Sequence, residues 1–132
     1  MKIILDTNVL VSALINPDGN PAKILNLVLN SNLIILYDVR ILDEYKNVLR
    51  RDKFGFNEET INPFMDFLET EGISITPNPS SIKFKDEDDK KFYETALSGK
   101  CDFLITGNKS HFPNEKFIVS PSEFLTAIKD KF

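Results

Sequence analysis

Lys2-Ile3-Ile4-Leu5-Asp6-Thr7-Asn8 is the stretch that decides the fold. Residues 3–5 are uniformly apolar, without the alternation of a half-exposed strand, so they predict a strand buried on both faces. A carboxylate follows at once, and the apolar and small residues at 9–15 predict a short helix. A buried strand that leads directly into a helix is typical of a parallel sheet covered by helices.

The rest of the chain continues the alternation of strands and helices. Apolar runs predict further strands at 33–36, 73–75, 102–106 and 117–119, and periodic segments predict helices at 22–29, 40–50, 58–69 and 86–97. Residues 76–86 predict a loop, and Ser120 with Pro121 predicts the capped start of a last helix. We therefore predict a single α/β domain over residues 1–132. It has three α/β/α layers and a central, mostly parallel sheet of four to five strands flanked by helices.

Composition restricts the chemistry. The chain carries 16 basic and 20 acidic residues, so its net charge of −4 argues against a broad basic surface for nucleic acid. One cysteine excludes an intrachain disulfide, and one cysteine with one histidine disfavours zinc. No segment has the length of a membrane span or a signal peptide, so we expect a cytoplasmic protein.

Two acidic residues lie where a ligand would collect. Asp6 ends the first strand, at the sheet edge where open α/β proteins bind ligands, although an aspartate there can also simply cap the next helix. Glu44 shares the flank of Ile41 and Val48 on its helix and therefore faces the protein. The alternative is a partly buried glutamate paired with a lysine or arginine.

Asp89 is the strongest candidate for a metal ligand. It precedes Phe92 by three residues and Tyr93 by four, which places it in the middle of the buried stripe of the helix predicted at 86–97. A buried carboxylate is costly unless it is paired or binds metal, and no arginine lies in these apolar arcs. Asp86 is a candidate helix cap, and Asp88 a candidate additional ligand. Three acids that face inward would offer hard carboxylate oxygens as ligands, and such ligands predict Mg²⁺ or Mn²⁺.

Four segments resemble one known family. Residues 3–10, Ile-Ile-Leu-Asp-Thr-Asn-Val-Leu, look like the opening of PIN-domain nucleases, within which the chain looks closest to the toxin-like (VapC-like) PIN proteins. Residues 42–49, 86–96 and 103–108 are similar to the second, third and fourth segments of that family.

The resemblance implies a Mg²⁺- or Mn²⁺-dependent endoribonuclease, with an RNA substrate. It also implies a toxin of a toxin–antitoxin pair that forms a homodimer and is inhibited by a small antitoxin protein. The implied metal ligands are Asp6, Glu44 and Asp89, and Asn108 completes the catalytic set. Thr7, Asn8 and Thr106 match supporting positions.

The chain departs from the family at one place. Relatives often carry a fourth aspartate after the position of Thr106, where this chain has Asn108 and, further on, His111. The departure implies weaker metal binding, one metal ion instead of two, or no activity. His111 is interpreted either as a general acid or as a surface or capping residue.

Basic residues supply candidate RNA contacts, with a solvated charged face as the alternative. These residues are Arg40, Arg50, Arg51, Lys53 and Lys109.

Two other functions are compatible with parts of the sequence. A catalytically degenerate PIN domain would bind RNA or a protein without cleaving RNA. A haloacid-dehalogenase-type phosphatase would require a second aspartate where Asn8 stands. No glycine-rich fingerprint of a dinucleotide-binding enzyme follows the first strand.

Overall fold

A computed structural model describes residues 1–132 and contains one five-stranded sheet. Its strands are β1 (Lys2–Leu5), β2 (Ile34–Tyr37), β3 (Ile73–Ser74), β4 (Phe103–Ile105) and β5 (Ile118–Val119). All neighbouring strands are parallel, in the spatial order β3-β2-β1-β4-β5. The predicted α/β class and parallel sheet are confirmed.

Six helices flank the sheet. They are α1 (Thr7–Ile15), α2 (Asn20–Leu29), α3 (Val39–Leu49), α4 (Glu58–Glu71), α5 (Lys90–Gly99) and α6 (Pro121–Ile128). Helix α1 packs with α2 and α3, α2 also contacts α6, and α3 packs with α4 and α5 as well. The predicted flanking layers are therefore confirmed, and none of the six helices has the length and apolarity that a membrane span requires.

The start of α5 differs from the prediction. The Asp86 side chain accepts a hydrogen bond from the Asp88 N–H at 3.0 Å and caps a 3₁₀ turn over Glu87–Asp89. Helix α5 therefore begins only at Lys90, so Asp86 is not its cap. A hydrogen bond from the backbone to a nearby aspartate side chain competes with α-helix formation, and the spacing of apolar residues does not reveal it.

An aromatic cluster holds the loop before this turn against the domain. The Phe84 ring meets Phe112 edge-on with centroids 5.8 Å apart, and its centroid lies 5.6 Å from that of Tyr93. Phe84 and Phe112 are buried, although neither lies in a strand or helix. This packing fixes the chain on both sides of Asp89.

The strand order defines one ligand crevice. After β1 the chain passes through α1 and α2 to β2 on one side, whereas β4 joins β1 on the other side, with Leu5 opposite Ile105. In open α/β sheets, ligands bind beyond the carboxyl ends of the strands where the strand order reverses. Asp6 and Thr106 follow the two strands at this point.

Candidate active site

Asp6 is fixed by the two central strands. Its backbone N–H continues the sheet by donating to the carbonyl of Ile105 at 2.9 Å, and its Oδ2 accepts from the Thr106 hydroxyl at 2.8 Å. Asp6 occupies the N-cap position of α1, but its side chain makes no capping hydrogen bond. The carboxylate is therefore aimed at the end of β4, and capping does not explain why it is buried.

A buried tyrosine places the second acid beside the first. The Tyr45 hydroxyl donates to the carbonyl of Leu5, which ties α3 to the last residue of β1. Glu44, the preceding residue, accepts a hydrogen bond from the hydroxyl of Thr7. Sequence reading assigned Tyr45 only to the apolar arc of its helix, because a hydrogen bond across 40 residues leaves no local signal.

Lys91 neutralises Glu44. The Lys91 ammonium lies 2.8 Å from Glu44 Oε1, and its Nζ also donates to the carbonyl of Asp88. The cation beside the inward acids is therefore a lysine and not an arginine. The stem of Lys91 is buried, and its Nζ lies 5.2 Å from the centroid of the Phe92 ring. For Glu44, the alternative of a partly buried glutamate paired with lysine is the arrangement observed.

Asp89 precedes α5 instead of lying in the middle of its stripe, since the helix begins one residue later. Its side chain is nevertheless only 16% exposed, and Oδ2 is buried without a hydrogen-bond partner. His111 Nδ1 lies 3.3 Å from Oδ2, within ion-pair distance but outside hydrogen-bond geometry. Burial raises the pKa of Asp89, the charge of Asp86 adds to the rise, and His111 opposes it.

Asp89 and Glu44 lie close enough to Asp6 for their charges to act on its carboxylate. Burial raises the pKa of Asp6, and the charges of Asp89 and Glu44 raise it further, whereas the Thr106 hydroxyl lowers it. Even so, no three Asp, Glu, His or Cys side chains form a ready metal-binding group. Shared coordination of one metal ion by Asp6, Glu44 and Asp89 therefore stays a prediction.

The other predicted site residues lie around this centre. Thr106 is fully buried and accepts the backbone N–H of Asn108 at 3.0 Å, whereas Asn108 itself is exposed. Asn8 is also exposed, directly after Thr7. Asp86 and Asp88 are exposed on the 3₁₀ turn, so a ligand role for Asp88 stays a prediction.

Most of the predicted RNA contacts already have acidic partners. Arg40 pairs with Asp38 and Glu94, Arg50 with Glu58, and Lys109 with Glu123. Lys53 lies over the ring of Phe54, and Arg51 makes no ion pair. Contact of these residues with RNA stays a prediction, and for the three paired residues it would compete with an existing interaction.

Two clefts flank the acidic centre. A groove of about 720 Å³ reaches Glu44 and Lys91 and is lined by five acidic and four basic side chains. A cleft of about 320 Å³ adjoins His111 and is lined by Lys83 and Lys85 without any acidic residue. Sequence reading missed these two lysines, because an exposed lysine in a loop has no pattern that distinguishes it.

The fold and this site describe a parallel α/β protein with an acidic centre at the point where its strand order reverses. Residues 2–110 match the PIN domain family. An uncharacterized protein of Methanocaldococcus jannaschii is 36% identical over 112 residues, which cover 83% of this chain and 72% of that relative. The chain belongs to the PIN-domain family. PIN domains are generally nucleases, and PIN nucleases generally use divalent metal ions.

Proposed function

We propose that this protein is a Mg²⁺- or Mn²⁺-dependent endoribonuclease whose centre is formed by Asp6, Glu44 and Asp89. The observation that carries the proposal is the buried Oδ2 of Asp89. It has no hydrogen-bond partner and only His111 Nδ1 at 3.3 Å, and it lies close to a second carboxylate, that of the buried Asp6. Buried polar atoms without partners are rare, and a cation is the group that would satisfy this one. Family membership and the position at the strand-order reversal support the same centre.

The residues present fit such an ion. Asp6 and Asp89 supply the hard carboxylate oxygens that Mg²⁺ and Mn²⁺ prefer, and Glu44 would be a further ligand or would orient the attacking water. When bound, the ion activates water and neutralises the charge that develops on the phosphate during hydrolysis of a phosphodiester bond.

The chain's own residues contribute positioning. Thr106 fixes the carboxylate of Asp6, and Thr7 fixes Glu44, so both acids are held before the substrate arrives. Such preorganisation avoids a rearrangement at the moment of reaction. Asn108, exposed beside Thr106, would support the phosphate or the water shell of the ion.

RNA cleavage by the wild type and Asp6→Asn with added Mg²⁺ or Mn²⁺ tests the proposal. We expect Asp6→Asn to lose about 100-fold or more of the activity, since it removes a ligand charge and keeps the shape. Asp66→Asn, which changes an exposed acid on α4, is the matched control and should cleave like the wild type. Equal activity in the wild type and Asp6→Asn would reject the centre.

The biological role that we propose for this ribonuclease is that of the toxin in a toxin–antitoxin pair. It would act as a homodimer that a small antitoxin protein inhibits. It is supported by the resemblance of the four sequence segments to toxin-like PIN proteins. Growth arrest on induction of the wild type but not of Asp6→Asn, relieved by the product of a neighbouring short gene, would support it. Unimpaired growth with an active enzyme would argue for another role.

A second candidate function is a degenerate PIN domain that binds RNA without cleaving it. The ion pair between Glu44 and Lys91 favours it, because a carboxylate with a partner has less need of metal. Asn108 at the position of the family's fourth acid favours it too. RNA binding by the wild type without metal-dependent cleavage would establish this function in place of the first.

A further inference from the structure

Lys91 is the only buried lysine or arginine in the protein. Its side chain is 10% exposed, and its ammonium meets Glu44 Oε1 at 2.8 Å. A buried ammonium is costly unless it is paired, so this position needs the acid that faces it. Lys91 is therefore part of the centre and does not belong to a solvated face.

Lys91 also connects Glu44 with the turn that carries Asp89, because its Nζ donates to the carbonyl of Asp88. Three carboxylates and one ammonium leave a formal charge of −2, which one divalent cation balances. Asn108 is neutral and adds no further charge to these four side chains.

We propose that Lys91 is a positioning residue that takes the place of a second cation. The centre then binds one divalent metal ion through Asp6 and Asp89, while Glu44 stays paired with the lysine ammonium. This inference rests on the proposed function, because it concerns the same metal centre. It assigns Glu44 a role in holding Lys91 and removes it from the metal ligands.

Calorimetric titration with Mn²⁺ tests this assignment on the wild type, Lys91→Met, Lys91→Arg and Lys90→Met. We expect one Mn²⁺ per wild-type chain. Lys91→Met frees Glu44 and removes a like charge from the ion, so it should bind Mn²⁺ about tenfold more tightly or bind a second ion. Lys91→Arg keeps the charge and should resemble the wild type.

Lys90→Met is the matched control. It removes the same charge from the same turn of the helix, but Lys90 forms an ion pair only with Glu87, at 3.8 Å, and none with Glu44. Its Mn²⁺ affinity should stay within about threefold of the wild type. Thermal unfolding in EDTA verifies that each variant is folded, and if Lys91→Met is not, the stoichiometry of the wild type and the affinity of Lys91→Arg decide.

Two Mn²⁺ ions per wild-type chain would overturn the proposal. The proposal would also be overturned if folded Lys91→Met kept the Mn²⁺ affinity and stoichiometry of the wild type, or if Lys91→Arg lost much of the affinity. The absence of Mn²⁺ binding in both the wild type and Lys91→Met would overturn it too. Failure of the proposed function has a different signature. In that case the wild type binds one Mn²⁺ that Asp6→Asn does not bind, Lys91→Met behaves as expected, and no RNA is cleaved.

Discussion

Asp6 and Asp89 carry charges that their surroundings compensate only in part. Burial is the largest cause of the raised pKa of both aspartates. The charge of Asp89 also raises the pKa of Asp6, and the charge of Asp86 raises the pKa of Asp89. Functional centres often retain such unfavourable groups at a cost in stability. The two aspartates should therefore destabilise the metal-free protein.

Asp6→Asn should stabilise the protein in EDTA at pH 7. The pKa of Asp6 lies above its ordinary value of 3.8 in the folded chain, so ionisation favours the unfolded state. That cost is absent below the ordinary value and appears as the pH rises through the folded-state pKa. We expect the melting temperature of the variant to exceed that of the wild type by about 2–6 °C at pH 7, with the difference shrinking towards pH 4.

Thermal melts of the wild type, Asp6→Asn and the surface control Asp66→Asn across pH supply the measurement. A variant that melts below the wild type at pH 7 would show that Asp6 is a compensated structural residue.

Ion pairs of Arg40 join α3 to α5, and the order of strands and helices in the sequence does not predict them. Asp38 caps α3 by accepting the Ile41 N–H at 2.8 Å and also pairs with Arg40 at 2.6 Å. Arg40 pairs in addition with Glu94 at 2.9 Å, and Glu94 accepts the N–H of Ser80. Although burial opposes it, these contacts with Ser80 and Arg40 lower the pKa of Glu94. Arg40 thus connects two helices and the loop before α5.

Arg40→Met should destabilise the fold. The side chains of Asp38 and Glu94 are only 3% and 6% exposed, so removing the guanidinium leaves two buried carboxylates without it. Because Arg40 is itself 47% exposed, we expect a loss of about 1–3 kcal/mol in the free energy of unfolding.

Urea unfolding measures this loss. Arg51→Met, on an exposed arginine without an ion pair, should change the free energy of unfolding by no more than about 0.5 kcal/mol. If the two substitutions lowered the free energy of unfolding equally, Arg40 would have no specific structural role.

Most elements could be predicted from the sequence, because apolar strands and periodic helices leave local patterns. Their bounds depended on hydrogen bonds: the Asp86 turn moved the start of α5 to Lys90. The three acids could be singled out one by one, since burial of a carboxylate conflicts with its helix or strand pattern. Lys91 could not, because its partner Glu44 is distant in the chain and a lysine at the start of a helix has no unusual local pattern.

At the scale of the whole molecule, the centre lies between surfaces of different charge. The groove beside Glu44 holds more acids than bases, whereas the cleft beside His111 holds Lys83 and Lys85 without acids. A protein of net charge −4 needs local basic surface to meet a phosphate backbone. The His111 side of the centre is therefore where we expect the RNA backbone to lie.

A Lys83→Gln/Lys85→Gln double variant should bind single-stranded RNA less tightly. On an Asp6→Asn background in EDTA, we expect a loss of about 5–10-fold, with a salt slope smaller by about 1.4, as two lost phosphate contacts imply. Fluorescence anisotropy over a range of salt concentrations measures both quantities. Lys129→Gln/Lys131→Gln makes the same charge change on exposed residues at the C-terminus. An equal loss of affinity in that control would show only an effect of net charge.

The central claim is that Asp6 and Asp89 hold a divalent cation. An anomalous difference map from crystals of the wild type grown with Mn²⁺ tests it most directly. We predict a single manganese peak within bonding distance of both carboxylates, absent in crystals of Asp6→Asn. A map without a peak at these two side chains, or with peaks only elsewhere on the chain, would contradict the account.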